Sequence, residues 1–361
     1  MTGGGSVNSK ELVWRALSGL PVPRPAVGPL AVHYCARLAG VSLREYTLKP
    51  GVLADCVIKY YEQFRPDAVW LSADTWVNAQ AMGARVAFPD DNQPLGGTGE
   101  PLVKTGTDIA RIPAPDTSSQ GRWPLMLDAM RRIRSGIGPE VFLVGCFDQY
   151  PFSLASAVMG IERIMLAVND DLPMVLALME RCAEYTVAYA CALADEGADM
   201  LSGGASPAVL LGPKLYREIA LPFEQRVIAK IKAATGLPVS LHMCGNSTPI
   251  LADMVRSGAD VLELDQRTDM SEACRILPRQ IAIWGNLDPV AVLSQGSPRD
   301  VMRAANEFLE TMCNADHQRF VLSSGCTLAV EMPEENLHAL MKAAKDYSAS
   351  GSNKFTQTTP S

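Results

Sequence analysis

Val239-Ser240-Leu241-His242-Met243-Cys244-Gly245-Asn246 reads as a strand that ends in two metal-ligating side chains. Alternation sends Val239, Leu241 and Met243 to one face and Ser240, His242 and Cys244 to the other. An imidazole and a thiolate on one face form a ligand pair of zinc type. A third soft donor, Cys326, follows another apolar run in Val321-Leu322-Ser323-Ser324-Gly325-Cys326. Three protein donors leave one position of a tetrahedral ion open, which separates a catalytic zinc from a structural one. His-x-Cys alone fits a small core cysteine beside a histidine equally well. The residues by themselves therefore leave the metal and core readings both open.

Short apolar strands alternating with long helical patterns would have to position these donors. The expected strands are Ala26–Leu30, Ala68–Ser72, Val141–Cys146, Met200–Gly203, Val239–Met243, Val261–Leu264, Ile281–Trp284 and Phe320–Leu322. Prolines signpost the helices between them. Pro50 precedes the stripe Leu53, Cys56, Val57, Tyr60, Tyr61, Phe64, and Pro213 opens a helix that Pro222 should kink. Pro298 opens Val301–Met312, and Pro333 opens Leu337–Ala344. Strand then helix, repeated eight times, predicts an α/β chain folded as a single (β/α)8 TIM barrel. A doubly wound open sheet is the alternative, but the first unit lacks a G-x-G-x-x-G loop. One long loop, Trp76 to Trp123, is inserted after the second strand and reads as a lid. Residues 1–9 are expected to be a flexible end, 10–347 the barrel and 348–361 a disordered polar tail.

Net charge is −7 over 361 residues, against the basic face that nucleic-acid binding needs. Gly, Pro or a charge punctuates every long apolar run, so no membrane span is expected. Met1 to Ser9 lacks the order of a secretory signal, making the cytoplasm the expected compartment. Nine cysteines scattered along such a chain do not suggest a disulfide framework. Cys56, Cys182, Cys191, Cys274 and Cys313 read as core fillers. There is no G-x-S-x-G elbow and no P-loop.

A barrel of this type focuses chemistry at the C-terminal ends of its strands. Those ends carry His33, Asp74, Cys146 with Asp148, Ser206, His242 with Cys244 and Asn246, Asp265, Asn286 with Asp288, and Cys326. Asp74, Asp265, Asn286 and Asn246 are the candidate catalytic residues, with Asp74, Asp265 and Asn286 expected to line one cavity with the metal. The aspartates could equally cap the helices that follow. His317 and His338 read as surface residues.

Several motifs together carry a family likeness. They are Arg15-Ala16-Leu17-Ser18-Gly19 with Pro23-Arg24-Pro25-Ala26, Asn78-Ala79-Gln80-Ala81-Met82-Gly83, His242-Met243-Cys244-Gly245-Asn246, Gly285-Asn286-Leu287-Asp288-Pro289, and Gly325-Cys326 with Pro333-Glu334-Glu335-Asn336-Leu337. In these the chain resembles the uroporphyrinogen decarboxylase superfamily, and within it the zinc-dependent cobalamin methyltransferases. The resemblance implies that His242, Cys244 and Cys326 are zinc ligands. It implies a zinc-dependent methyltransferase that moves a methyl group between a corrinoid (cobalamin) and a thiol acceptor or another small-molecule methyl donor. Corrinoid-binding domains present an Asp-x-His-x-x-Gly run that is absent here, so a separate corrinoid protein is the implied partner. A homodimer is one assembly left open. True decarboxylases of the superfamily carry arginines after the first strand, whereas Ala26–Tyr34 has none. A decarboxylase is thus the alternative, and a zinc-stabilised non-catalytic barrel the third reading.

Overall fold

The computed structural model describes residues 7–97 and 99–349. In chain order its strands are β1 (Ala68–Leu71), β2 (Val86–Ala87), β3 (Leu95–Gly96), β4 (Phe142–Gln149), β5 (Met200–Gly204), β6 (Val239–Met243), β7 (Val261–Leu264), β8 (Ala282–Leu287) and β9 (Phe320–Ser324). Seven of them pair in parallel as one curled sheet in the order β1-β4-β5-β6-β7-β8-β9. Helices cover the outer face, so these strands are buried on both sides and read as continuous apolar runs rather than alternating ones.

The first expected strand, Ala26–Leu30, is reduced to a single bridge between Val27 and Leu322. Its backbone nevertheless bonds both edges of the sheet. Leu322 N–H donates to Ala26 O and Gly28 N–H to Leu322 O, while Asp67 N–H donates to Val27 O. The segment stops there for a chemical reason. Pro25 and Pro29 have no N–H to give a ladder, and the Gly28 carbonyl accepts from Trp284 Nε1 and Ser323 Oγ instead of from a strand. A side chain at Gly28 would also meet the Trp284 ring, its Cβ only 2.7 Å from that ring.

Several outer helices start where proline or a cap dictates. Pro50–Phe64 begins on its proline, and Pro298–Asn314 begins with a Ser297/Asp300 capping box. The expected kink at Pro222 takes the form of a π turn, Tyr216–Ala220, just before the helix Leu221–Thr235. The missing proline N–H is absorbed by widening the preceding turn.

The insertion after β1 is not a bare loop. It holds the helix Val77–Ala81, the antiparallel β2–β3 pair and the helix Gly106–Arg111. The expected flexible end and disordered tail lie largely outside the described residues, at 1–6 and 350–361. Asn8 and Ser9, assigned to the flexible end, instead start a helix: Asn8 Oδ1 accepts from Glu11 N–H (2.8 Å) and caps Ser9–Ser18. The last helix, Glu334–Ala349, likewise runs past Tyr347. Among the described residues no single helix is long and apolar enough to cross a membrane.

Inside the sheet, Trp70 of β1 meets Trp284 of β8 edge-to-face at 5.5 Å, a contact worth ~1 kcal/mol beyond its buried area. His317 is fully buried, not on the surface, and bonds the Ile281 carbonyl at 3.0 Å. His338 is exposed and lies against Phe64.

Candidate metal centre

The β6 ladder sets the first two donors. His242 pairs with Gly204 of β5 and with Glu263 of β7, so its ring and the Glu263 carboxylate rise side by side from adjacent strands. Cys244 follows one step past the strand end on the same face, and Ser206 Oγ accepts its N–H at 3.0 Å. Cys326 enters from the turn after β9. Gly325 permits this approach, since a Cβ there would stand 2.6 Å from the Gln266 backbone nitrogen.

The three donor atoms converge. His242 Nε2 is 3.1 Å from Cys244 Sγ, Cys244 Sγ is 3.6 Å from Cys326 Sγ, and Cys326 Sγ is 3.9 Å from His242 Nε2. A tetrahedral zinc with bonds of ~2.1 Å to nitrogen and ~2.3 Å to sulfur would place its ligands roughly 3.6–3.8 Å apart. The triangle fits a zinc ion with shifts of a few tenths of an ångström. Among the described residues no fourth His, Cys, Asp or Glu joins the group.

Behind His242 lies a second layer of polar contacts. Its Nδ1 is 3.3 Å from Glu263 Oε2, and neither atom has another hydrogen-bond partner. Glu263 Oε1 accepts from Ser202 Oγ at 2.6 Å and from Ser240 Oγ. A carboxylate on Nδ1 fixes the tautomer that offers Nε2 to a metal. Protonation in the cluster follows from these contacts. Burial pulls His242 down, but the two sulfurs and Glu263 outweigh it and hold its pKa well above the ordinary value. The bond from Cys326 holds Cys244 far below the usual thiol range, against burial and with help from His242. Cys326 is pushed up by that same bond and by burial. Without an ion the cluster stores protons that a bound metal would displace.

A cavity of about 400 Å³ opens beside the three donors. Its apolar wall includes Leu30, Val32, Trp70 and Pro207, and its polar wall includes His33, Asp74, Asp148 and Gln149. Of the candidate catalytic residues, Asp74 lines this cavity, but Arg122 engages its carboxylate in a buried bidentate pair at 2.5 and 3.0 Å. Asp265 and Asn286 are not among the lining residues. Asp265 Oδ1 accepts from Arg267 N–H, and Asn286 Nδ2 donates to the Asp265 and Thr268 carbonyls, so the pair braces the loop after β7. Asn246 is exposed and accepts from Thr248 N–H. Asp288 accepts from Val290 and Ala291 N–H as a turn cap. Cys146 lines the cavity, apart from the cluster, and burial raises its thiol to about 12.

Sequence reasoning missed Glu263, Ser202 and Arg122. The available signal for Glu263 was a lone charge inside the apolar run Val261-Leu262-Glu263-Leu264.

The profile of the uroporphyrinogen decarboxylase (URO-D) family matches residues 8–347. The methylcobamide:CoM methyltransferase MtbA of Methanosarcina acetivorans is 30% identical over 94% of this chain and 98% of its own length. A uroporphyrinogen decarboxylase of Prochlorococcus marinus is 28% identical over 93% of this chain and 97% of its own. A solved methyltransferase from Methanosarcina mazei has a TM-score of 0.85 at 24% identity, covering 95% of this chain and 99% of that one, so the two share a fold. The chain belongs to the uroporphyrinogen decarboxylase family.

Proposed function

We propose that this family member is a zinc-dependent corrinoid methyltransferase. It moves a methyl group between a corrinoid held by a separate protein and a small molecule, thiol acceptor or methyl donor, seated in the cavity. The observation that carries this reading is the convergence of His242, Cys244 and Cys326 at the wall of an open cavity, with no fourth protein ligand among the described residues. We read Ala26–Gly28 as the first strand of a (β/α)8 barrel, which puts the cavity at the strands' C-terminal mouth.

Zinc held by His242 Nε2, Cys244 Sγ and Cys326 Sγ would supply Lewis acidity at its open position, keeping a bound thiol deprotonated at neutral pH. The chain's own residues do the rest. Glu263, held by Ser202 and Ser240, orients the His242 ring and keeps Nε2 free to bind. Ser206 fixes the backbone of Cys244. Leu30, Val32, Trp70 and Pro207 line the cavity with apolar surface and exclude water from the reacting atoms. Asp74, neutralised by Arg122, shapes the cavity wall, Asn246 caps the turn that follows Cys244, and Asp265 and Asn286 brace the loop after β7.

Decarboxylation of a porphyrinogen is the weaker reading. Its many carboxylates need cationic partners, and the lining residues include no arginine or lysine. A non-catalytic zinc barrel is disfavoured by the same open coordination that supports catalysis. The test is incubation of zinc-loaded protein with methylcobalamin and a panel of thiols while the cobalt spectrum is followed. Cys326→Ala is expected to abolish methyl exchange with the fold intact. Metal-independent turnover of uroporphyrinogen would overturn the proposal.

A further inference from the structure

We propose that the part of the cavity wall formed by Asp148, Gln149, Ser153 and His33 recognises an ammonium group, so that the small molecule carries a cationic group besides its reacting atom. This rests on the methyl-transfer reading, which assigns the reacting atom to the cluster. The observation is a set of buried polar atoms without a hydrogen-bond partner. Asp148 is 5% exposed, and its Oδ2 takes the Asn78 N–H at 3.0 Å, but its Oδ1 has no partner. Gln149 Oε1, Ser153 Oγ and His33 Nε2 are also buried without partners, and all four residues line the same cavity. The His33 ring bonds the Ala73 backbone and burial lowers its pKa, which leaves Nε2 a neutral ring's lone pair.

Buried polar atoms in folded proteins are nearly always bonded, so such a cluster marks where a ligand's donors go. The sign of the ligand's charge follows from what else is there. Arg122 is bound to Asp74 and Gln80 and does not itself line the cavity, and the cationic contact to the lining carboxylate of Glu263 comes from His242 of the metal cluster. Trp70 Nε1 is an unpartnered donor on the wall, a single neutral N–H that cannot balance an anion. Asp148 also adopts a left-handed backbone (φ 74°), at the irregular end of β4 where its register with β5 shifts. A desolvated carboxylate held in an uncommon conformation at a cavity wall is a feature of binding sites. An ammonium group would donate to Oδ1 and its neighbours together and favour the ionised form of Asp148, which burial otherwise keeps protonated up to about pH 8, whereas a sulfonate or carboxylate would oppose that ionisation and find only single neutral donors.

The test compares thiols matched in length and opposite in charge, on zinc-loaded protein by calorimetry. The probes are 2-mercaptoethylamine and 3-mercaptopropylamine against 2-mercaptoethanesulfonate and 3-mercaptopropanesulfonate, with 2-mercaptoethanol as the neutral reference. At one or both lengths the amine is expected to bind about tenfold or more tighter than the sulfonate. Asp148→Asn should bring the two within about twofold while leaving 2-mercaptoethanol unchanged. Asparagine keeps an oxygen for the Asn78 N–H and tolerates the backbone angle, and a thermal melt confirms that the variant folds. If no thiol binds through the metal, the methyl-transfer reading fails. Charge preference is then read by ligand-observed NMR with propylammonium against 1-propanesulfonate, where Asp148-dependent binding of the cation alone supports the proposal. Sulfonate binding equal to or tighter than the amine, or a preference that survives Asp148→Asn, overturns it.

Discussion

Replacing Glu263 with glutamine should weaken metal binding. Glu263 is 2% exposed, stands across the β6–β7 ladder from His242, and puts Oε2 3.3 Å from the ring's Nδ1. Glutamine keeps the volume and an oxygen for Ser202 and Ser240, whose hydroxyls can rotate to suit. What it removes is the negative charge facing Nδ1, which raises the basicity of Nε2 toward a metal. Loss of such an outer carboxylate lowers metal affinity about 10–100-fold, which is ~1.4–2.7 kcal/mol at 1.36 kcal/mol per factor of ten. The metal-free fold should lose some stability as well, because Glu263 is among the groups that hold the buried His242 ring protonated there, so zinc affinity is compared where both metal-free proteins are folded. The assay is competition with a chromophoric zinc chelator at fixed pH, alongside thermal melts of the metal-free proteins. A folded Glu263→Gln protein whose zinc affinity stays within twofold of the parent would refute the reasoning.

The cysteine double variant Cys244→Ala/Cys326→Ala is expected to lose zinc on elemental analysis while its metal-free melting temperature stays near that of the metal-free parent; undiminished zinc would sink the site. Arg122→Met strands the buried Asp74 carboxylate and should cost ~3–5 kcal/mol in urea unfolding, most of it recovered by adding Asp74→Asn, and absence of that recovery would show the pair is not the cause. Asp148 gives a pH signature: burial, reinforced by Asp74 and opposed by the Asn78 N–H, raises its pKa from 3.8 to about 8. The folded state therefore holds the proton more tightly than the unfolded one, so this group's stabilisation is complete below pH 3.8 and lost as pH rises through about 8. Asp148→Asn should match the parent near pH 4 and gain stability over it up to pH 8, by ~2–5 kcal/mol, and parallel curves from pH 5 to 9 would count against the buried carboxylate.

What the sequence made legible and what it hid divide along a physical line. Strand periodicity is a local property, so β6 emerges with the expected bounds, and His242 and Cys244 point the same way as alternation requires. Cys326 could be placed at a strand end from the apolar run before it, but its meeting with Cys244 depends on how the sheet curls, which the family likeness supplied and the pattern did not. Asp265 and Asn286 show the limit of reasoning from strand ends. Position along a strand fixes a residue's height on the sheet, while its hydrogen bonds decide whether it faces the cavity, and theirs turn both toward the loop backbone. Asp74 fell on the cavity wall but was matched to a partner 48 residues away, a pairing no local pattern encodes. The missing first strand was hidden differently: its apolar residues are strand-like, but two prolines and a carbonyl taken by Trp284 and Ser323 leave too few groups for a ladder. Glu263 was the informative residue passed over. A charge inside a strand buried on both faces has to be matched, and in this chain its match is the histidine already singled out as a ligand, so the unexplained acid and the candidate metal site were two views of one arrangement.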